Sequence, residues 1–189
     1  MTSEFVHLHN HSDYSLLDGA QRIDQLVNTI DDLNMDSVAL TEHGNMFSVL
    51  PYYKQAKNAG IKPIIGCEIY VAVGSRFEKK TRSDGGWGNN HLILLAQNFT
   101  GYRNLMKLVT AGYLEGFYYR PRIDMDLLRE YSEGLICMSA CLKGVVPEKM
   151  LKDDYEGAKK EALLFSEIFQ DRYYLEIQNH GIPEEEQNL

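Results

Sequence analysis

The chain has 189 residues, 44% hydrophobic and 24% charged, which is enough apolar material for one soluble domain with a substantial core. A formal charge of −8 and a pI near 5.2 exclude a protein that grips nucleic acid through its own basic surface, because phosphate binding rests on clustered Lys and Arg. No stretch approaches the roughly 18 consecutive apolar residues of a membrane span, and the opening residues lack the basic flank and apolar run of a secretion signal, so a cytoplasmic protein is expected.

The predicted elements alternate between the two hydrophobic periods. Strand patterns fall at residues 5–9, 37–41, 62–71, 91–97, 134–140 and 173–178, and helical spacing at 23–33, 47–59, 102–113, 125–131 and 154–169. About six βα units follow, which implies an α/β fold with a parallel sheet closed or covered by helices. Gly60 reads as a helix stop, and residues 74–90 as a long surface loop made mobile by Gly85-Gly86. Residues 179–183 read as a turn, and Glu184, Glu185 and Glu186 as the acidic first turn of a helix. A βα barrel takes roughly 250 residues. A single domain over residues 1–189 that stops before its fold is complete is therefore expected, with an exposed sheet edge that promotes association.

Chemistry-bearing residues gather at the strand ends. His7, His9 and His11 share one face of the first strand by the two-residue period, and His9 and His11 lie nearest its carboxyl end. His43 and Cys141 follow the second and fifth strands, Glu68 lies within the third, His91 opens the fourth, and Asp18 sits in the turn after His11. A His-x-His pair alone is as readily a hydrogen-bonded pair as a metal pincer. Convergence of imidazole, carboxylate and thiolate donors on one end of the sheet favours a metal site, with zinc first and manganese or iron as alternatives. Such a site suits hydrolysis: a bridging carboxylate holds ions that activate water and offset charge on phosphoryl oxygens, so no Ser or Cys nucleophile is needed. Cys141 is then a ligand, whereas Cys67 and Cys137 are buried small apolar residues. Three sparse cysteines do not make a disulfide framework.

The remaining candidates carry two readings each. Arg120 and Arg122 could meet a phosphate or form salt bridges with the acidic surface. Phe117-Tyr118-Tyr119 could stack on unpaired bases or pack under a loop. His7 is expected in the interior, and His180 on the surface.

The strings His9-Asn10-His11-Ser12, Leu17-Asp18-Gly19-Ala20, Thr41-Glu42-His43-Gly44-Asn45, Ile64-Ile65-Gly66-Cys67-Glu68 and Ser139-Ala140-Cys141-Leu142 resemble successive motifs of the PHP superfamily. Longer runs, among them FVHLHNHSDYSLLDGA, AGIKPIIGCEIYVA and GFYYRPRID, resemble the amino-terminal PHP domains of bacterial family C replicative DNA polymerases. The resemblance implies a distorted (βα)7 TIM-like barrel with up to three divalent metals. His9, His11 and Glu68 would hold one. Glu68 would bridge to a second held by His91 and Cys141, and Asp18 with His43 would hold the third. An Asp and a His from a later strand, outside residues 1–189, would complete the set. The implied activity is that of a metal-dependent phosphoesterase, a 3′–5′ exonuclease that proofreads DNA. The implied partners are the rest of the polymerase chain, a DNA primer-template 3′ end and other replicase subunits, and no membrane. The alternatives are a free-standing phosphatase acting on a small phosphate monoester and a noncatalytic domain supporting the polymerase.

Overall fold

The computed structural model describes residues 5–16, 18–80 and 88–188; Leu17 of the second motif and the expected mobility at Gly85-Gly86 lie outside them. In chain order the elements are α1 (Ile23–Asp32), β1 (Ser37–Leu40), α2 (Val49–Asn58), β2 (Lys62–Ala72), β3 (Asn89–Ala96), α3 (Phe99–Leu114), β4 (Arg122–Ile123), α4 (Met125–Glu130), β5 (Leu135–Met138), α5 (Val145–Met150), α6 (Tyr155–Phe169), β6 (Tyr173–Tyr174) and α7 (Pro183–Glu186). Among the described residues, no helix is long and apolar enough to cross a membrane.

The helices form where apolar spacing and caps coincide. Ile23, Leu26, Val27 and Ile30 recur at i, i+3, i+4 and i+7 and bury one stripe of α1 against β1 and α2. Asn98 caps α3 by accepting from Gly101 N at 3.0 Å, and Asp124 and Asp154 cap α4 and α6 in the same way. Leu105 and Leu108 of α3 are fully buried, each burial contributing roughly 1.5–3 kcal/mol.

The sheet order is β1-β2-β3-β5-β6, with β4 pairing β2 along the edge that β1 also uses. Here the structure corrects the expectation of a parallel sheet. β1, β2, β4, β5 and β6 share one direction, but β3 runs against both β2 and β5. A parallel neighbour requires a crossover, usually a helix, whereas an antiparallel one can follow a plain loop; among the described residues, no helix lies between β2 and β3. Among the described residues the sheet is open, since β1 and β6 do not pair with each other.

The strand expected at residues 5–9 is also absent as a regular strand. The segment does run beside β1, with Ala39 N donating to His7 O and Thr41 N to Asn10 O, both at 2.8 Å. Three residue steps on one side thus span two on the other. Asn10 fills the mismatch: its Nδ2 donates to Ala39 O at 3.1 Å and its backbone N donates to Thr41 Oγ1 at 3.0 Å. The irregularity turns His7 out to solvent, against its expected interior place, while His9 and His11 turn in. Residues 175–178, expected to extend the last strand, continue past β6 without ladder pairing.

Side-chain alternation divides the sheet into two faces. Cys67, Ile69, Val71, Leu92, Leu94, Leu135 and Cys137 pack against α3, α4 and α6 in the main core, so Cys67 and Cys137 are buried as expected. The opposite face carries Ile93, Leu95, Met138 and Ala140, and beside them Glu68, Tyr70 and His91. Reversal of β3 explains how a residue at the start of a strand joins others at strand ends. His91 pairs with Tyr70 near the carboxyl end of β2, so the beginning of β3 lies at the end of the sheet where the other strands finish.

Candidate metal centre

Four local devices deliver the site residues. The 12–19 turn is pinched so tightly that a Cβ on Gly19 would meet Ser12 O, and it is braced by the buried Glu42 carboxylate, which accepts from the backbone N and hydroxyl of Ser12 and from the hydroxyl of Ser15. Ser15 Oγ in turn accepts from His43 N at 3.0 Å. After β1, an isolated parallel bridge joins His43 to Glu68, and Gly44 then turns the chain with φ +63° against Tyr70 and Pro121, where a Cβ would clash. Behind β5, Ala140 takes the left-handed φ of 64°, a conformation that costs a non-glycine residue energy and that aims Cys141 back towards His91.

Glu68 is the centre of the arrangement and is 1% exposed. Its Oε2 lies 2.9 Å from His9 Nε2 and 3.7 Å from His11 Nε2, and its Oε1 lies 2.6 Å from His43 Nδ1 and 2.7 Å from His91 Nδ1. Two groups result, His9–His11–Glu68 and His43–Glu68–His91, each with donor atoms within 4.8 Å of one another. Asp18 touches His43 Nε2 from the exposed side. Cys141 Sγ stands 3.8 Å from His91 Nδ1. The structure thus brings together all seven residues singled out as ligands: His43 and His91 meet on one oxygen of Glu68, with Cys141 beside His91 and Asp18 on His43.

The two arginines part company. Arg120 lies over the Tyr70 ring at 5.5 Å, and Tyr70 packs against the His91 ring at 5.1 Å, so Arg120 stands on the rim of the cluster. Arg122 is 1% exposed, and its guanidinium donates to Gly116 O, Arg76 O and Glu78 O. Those bonds commit it to a loop and not to a salt bridge. His180 is at the surface, paired with Glu185 at 2.7 Å. One residue at the site was not anticipated: Glu176, whose Oε1 lies 2.7 Å from His9 Nδ1. It occupies the carboxyl end of the 173–178 run, the position that marked the other candidates.

Electrostatics follow the geometry. Burial alone would raise the Glu68 carboxyl, yet its hydrogen bonds with His43, His9 and His91 hold it far below the usual carboxylate range. His9 is pushed up to about 9, burial being outweighed by Glu176 and Glu68. His11 is pushed down to about 4 by burial and by neighbouring His43, so its ring is neutral with a free lone pair near pH 7. Burial and the Glu68 charge lift the Cys141 thiol to about 11, so it ionises readily only beside a cation. A neutral imidazole, a bridging carboxylate and a thiol in one half-buried cluster, with His11 Nδ1 buried and free of protein partners, form a donor set that fits divalent ions.

These shifts set a pH dependence for the metal-free protein. The His9 contribution is fully present below about 6.5 and is lost as pH rises towards about 9; the depressed His11 costs stability as pH falls from about 6.5 towards about 4. Melting midpoints measured in chelator are expected to peak near pH 6.5 and fall on both sides. A flat profile across that window contradicts these protonation states.

A mixed α/β sheet with a Glu-centred histidine cluster at one end defines the class: residues 7–180 match the PHP domain family, and the chain belongs to it. Its relatives point to a narrower group. The chain is 54% identical over 97% of its length to the DNA polymerase III subunit alpha of Borreliella burgdorferi, and 49% identical over 96% to that of Treponema pallidum. It spans 16% of the length of each. Among solved structures, a two-domain protein from Bacteroides vulgatus containing a predicted PHP-like metal-dependent phosphoesterase aligns over 70% of this chain and 33% of that one, at 18% identity and a TM-score of 0.42. That likeness is too slight to carry an argument.

Proposed function

We propose that this chain is the PHP domain of a DNA polymerase III alpha subunit, that its sheet belongs to a distorted (βα)7 barrel, and that its cluster is a metal-dependent phosphoesterase site of the 3′–5′ exonuclease type. The observation that carries the reading is the buried Glu68 carboxylate, whose two oxygens face separate histidine groups at 2.6–2.9 Å. The proposed ligands are His9, His11 and Glu68 for one ion, Glu68, His91 and Cys141 for a second, and Asp18 with His43 for a third. Zinc is the preferred ion, since thiolate and imidazole donors suit it, with manganese or iron next. Divalent ions held there supply Lewis acidity that activates water and offsets charge on a phosphodiester. The chain's own residues do the rest. Glu68 keeps its negative charge throughout the physiological range, neutral His11 offers a lone pair, and Arg120 on the rim is placed to meet a substrate phosphate. With a net charge of −8, the domain depends on the ions and on the rest of the polymerase chain to hold a primer-template 3′ end. Other replicase subunits are further proposed partners, and the cytoplasm the proposed location.

The test is metal content by elemental analysis on protein purified without a histidine tag, followed by trimming of a 3′-labelled primer with zinc or manganese. His9→Ala and Cys141→Ala are expected to abolish trimming. The acidic surface favours a second reading, a domain that supports the polymerase without turnover. Retained metal with no trimming would select it, and turnover of a small phosphate monoester in place of DNA would select a phosphatase.

A further inference from the structure

Glu176 comes to the cluster from the unpaired segment after β6. Its Oε1 lies 2.7 Å from His9 Nδ1, while the other ring nitrogen of His9 faces Glu68 Oε2 at 2.9 Å and His11 Nε2 at 3.2 Å. The carboxylate is itself seated: Gln178 Nε2 donates to Oε1 at 2.6 Å, and Glu176 N donates to Ser139 Oγ at 2.8 Å. Gln178 Nε2 also approaches His9 Nδ1, but at 3.3 Å. An ionised carboxylate only accepts, so in the metal-free protein the Glu176 and Glu68 contacts each call for a hydrogen on the ring nitrogen they face; a cation taken between His9 and Glu68 would replace the hydrogen on Nε2, while Glu176 would keep the one on Nδ1. Ser139 also begins the turn through Ala140 that delivers Cys141, so one anchor serves both sides of the cluster.

We infer that Glu176, seated by Gln178 and Ser139, is a positioning residue that fixes the ring and tautomer of His9 so that Nε2 is the atom offered to a metal. Partners of this kind behind a ligating histidine are worth roughly 10–100-fold in metal affinity. The inference rests on the metal-binding reading above, and it assigns Glu176 no contact with substrate.

The experiment compares the whole chain as wild type, Glu176→Ala and Glu176→Gln in two readouts. Long-range proton–nitrogen NMR of the zinc-loaded protein reads which His9 nitrogen keeps its hydrogen. A hydrogen on Nδ1 is expected in wild type and in E176Q, whose amide oxygen still accepts, and a mixture in E176A. Zinc affinity, measured by competition with a chromophoric chelator, is expected to fall about 10–100-fold in E176A, with E176Q between. The cobalt–thiolate absorption that reports Cys141 is expected to persist, which a general loss of structure would not allow. Should E176A not fold, E176Q decides by affinity, and wild-type affinity there overturns the inference. An unchanged tautomer and affinity in folded E176A overturns it alone. A wild type that binds no zinc overturns the metal reading and the inference with it.

Discussion

Replacing Glu68 with Gln is expected to strip metal from both Glu68 groups, not from one of them. Both carboxylate oxygens are engaged, Oε2 towards His9 and His11 and Oε1 towards His43 and His91, so a single substitution removes an anionic donor from both groups. An amide keeps the shape but loses the charge and presents two hydrogens where lone pairs are needed. The fall in zinc affinity should exceed the roughly 10–100-fold that losing an outer partner costs, and primer trimming should vanish with it. Metal-free stability changes too. The carboxylate partners buried histidines, and breaking a buried pair costs roughly 3–5 kcal/mol when the remaining charge cannot be shed. The imidazoles can shed theirs, so the loss should concentrate at lower pH, and the decline in stability above about pH 6.5 should be shallower than in wild type. Calorimetric titration with zinc and chelator-treated melts check both parts. An E68Q protein that retains a stoichiometric ion with near wild-type affinity contradicts the bridging geometry.

The second large effect concerns folding. Arg122→Met removes a buried guanidinium that donates to Gly116 O at 3.1 Å, Arg76 O at 3.2 Å and Glu78 O at 2.9 Å and lies 5.1 Å from the Tyr118 ring. Methionine fills much of the volume but offers no donor. Each buried carbonyl left unpaired costs about 1–3 kcal/mol, and water can reach Glu78 from the exposed side, so the loss should be about 2–4 kcal/mol. That is a sizeable share of the stability of an ordinary domain. Denaturant unfolding reads the change, while zinc affinity should stay within about twofold, because the site and this loop share no hydrogen bond. Equal stability of R122M and wild type would show that these three bonds contribute nothing net.

How much of this was legible in the sequence depends on what each pattern encodes. The buried strand runs and the amphipathic helices carry their own period, and β1, β2, β3 and α1 fall within a few residues of expectation. Strand direction has no period, so the reversal of β3 was hidden; the Gly- and Ser-bearing 74–90 stretch, without an apolar helical period, was the available clue. The first segment has strand-like alternation, but Asn10 competes for the backbone partners of Ala39 and Thr41 and breaks the ladder. β4 has two residues and α5 six, too short for a period to show. The seven candidate ligands were legible because histidines, carboxylates and a cysteine recur at strand ends and within motifs that resemble a family. Which nitrogen meets which oxygen of Glu68 was not, because it depends on turns set by Gly44, Ala140 and the Glu42 brace. Arg122 suited a phosphate or a salt bridge by residue type, and only the fold shows it buried and bonded to loop carbonyls.

The central claim is that Glu68 joins two metal positions. Its most direct test is anomalous X-ray diffraction, at the zinc edge, from crystals of the chain grown with zinc. Besides the ion proposed at Asp18 and His43, two peaks are expected on either side of the Glu68 carboxylate, one against His9 and His11 and one against His91 on the Oε1 side. Anomalous density confined to positions away from Glu68, or a single ion that leaves one of its oxygens bound only by protein, would contradict the claim.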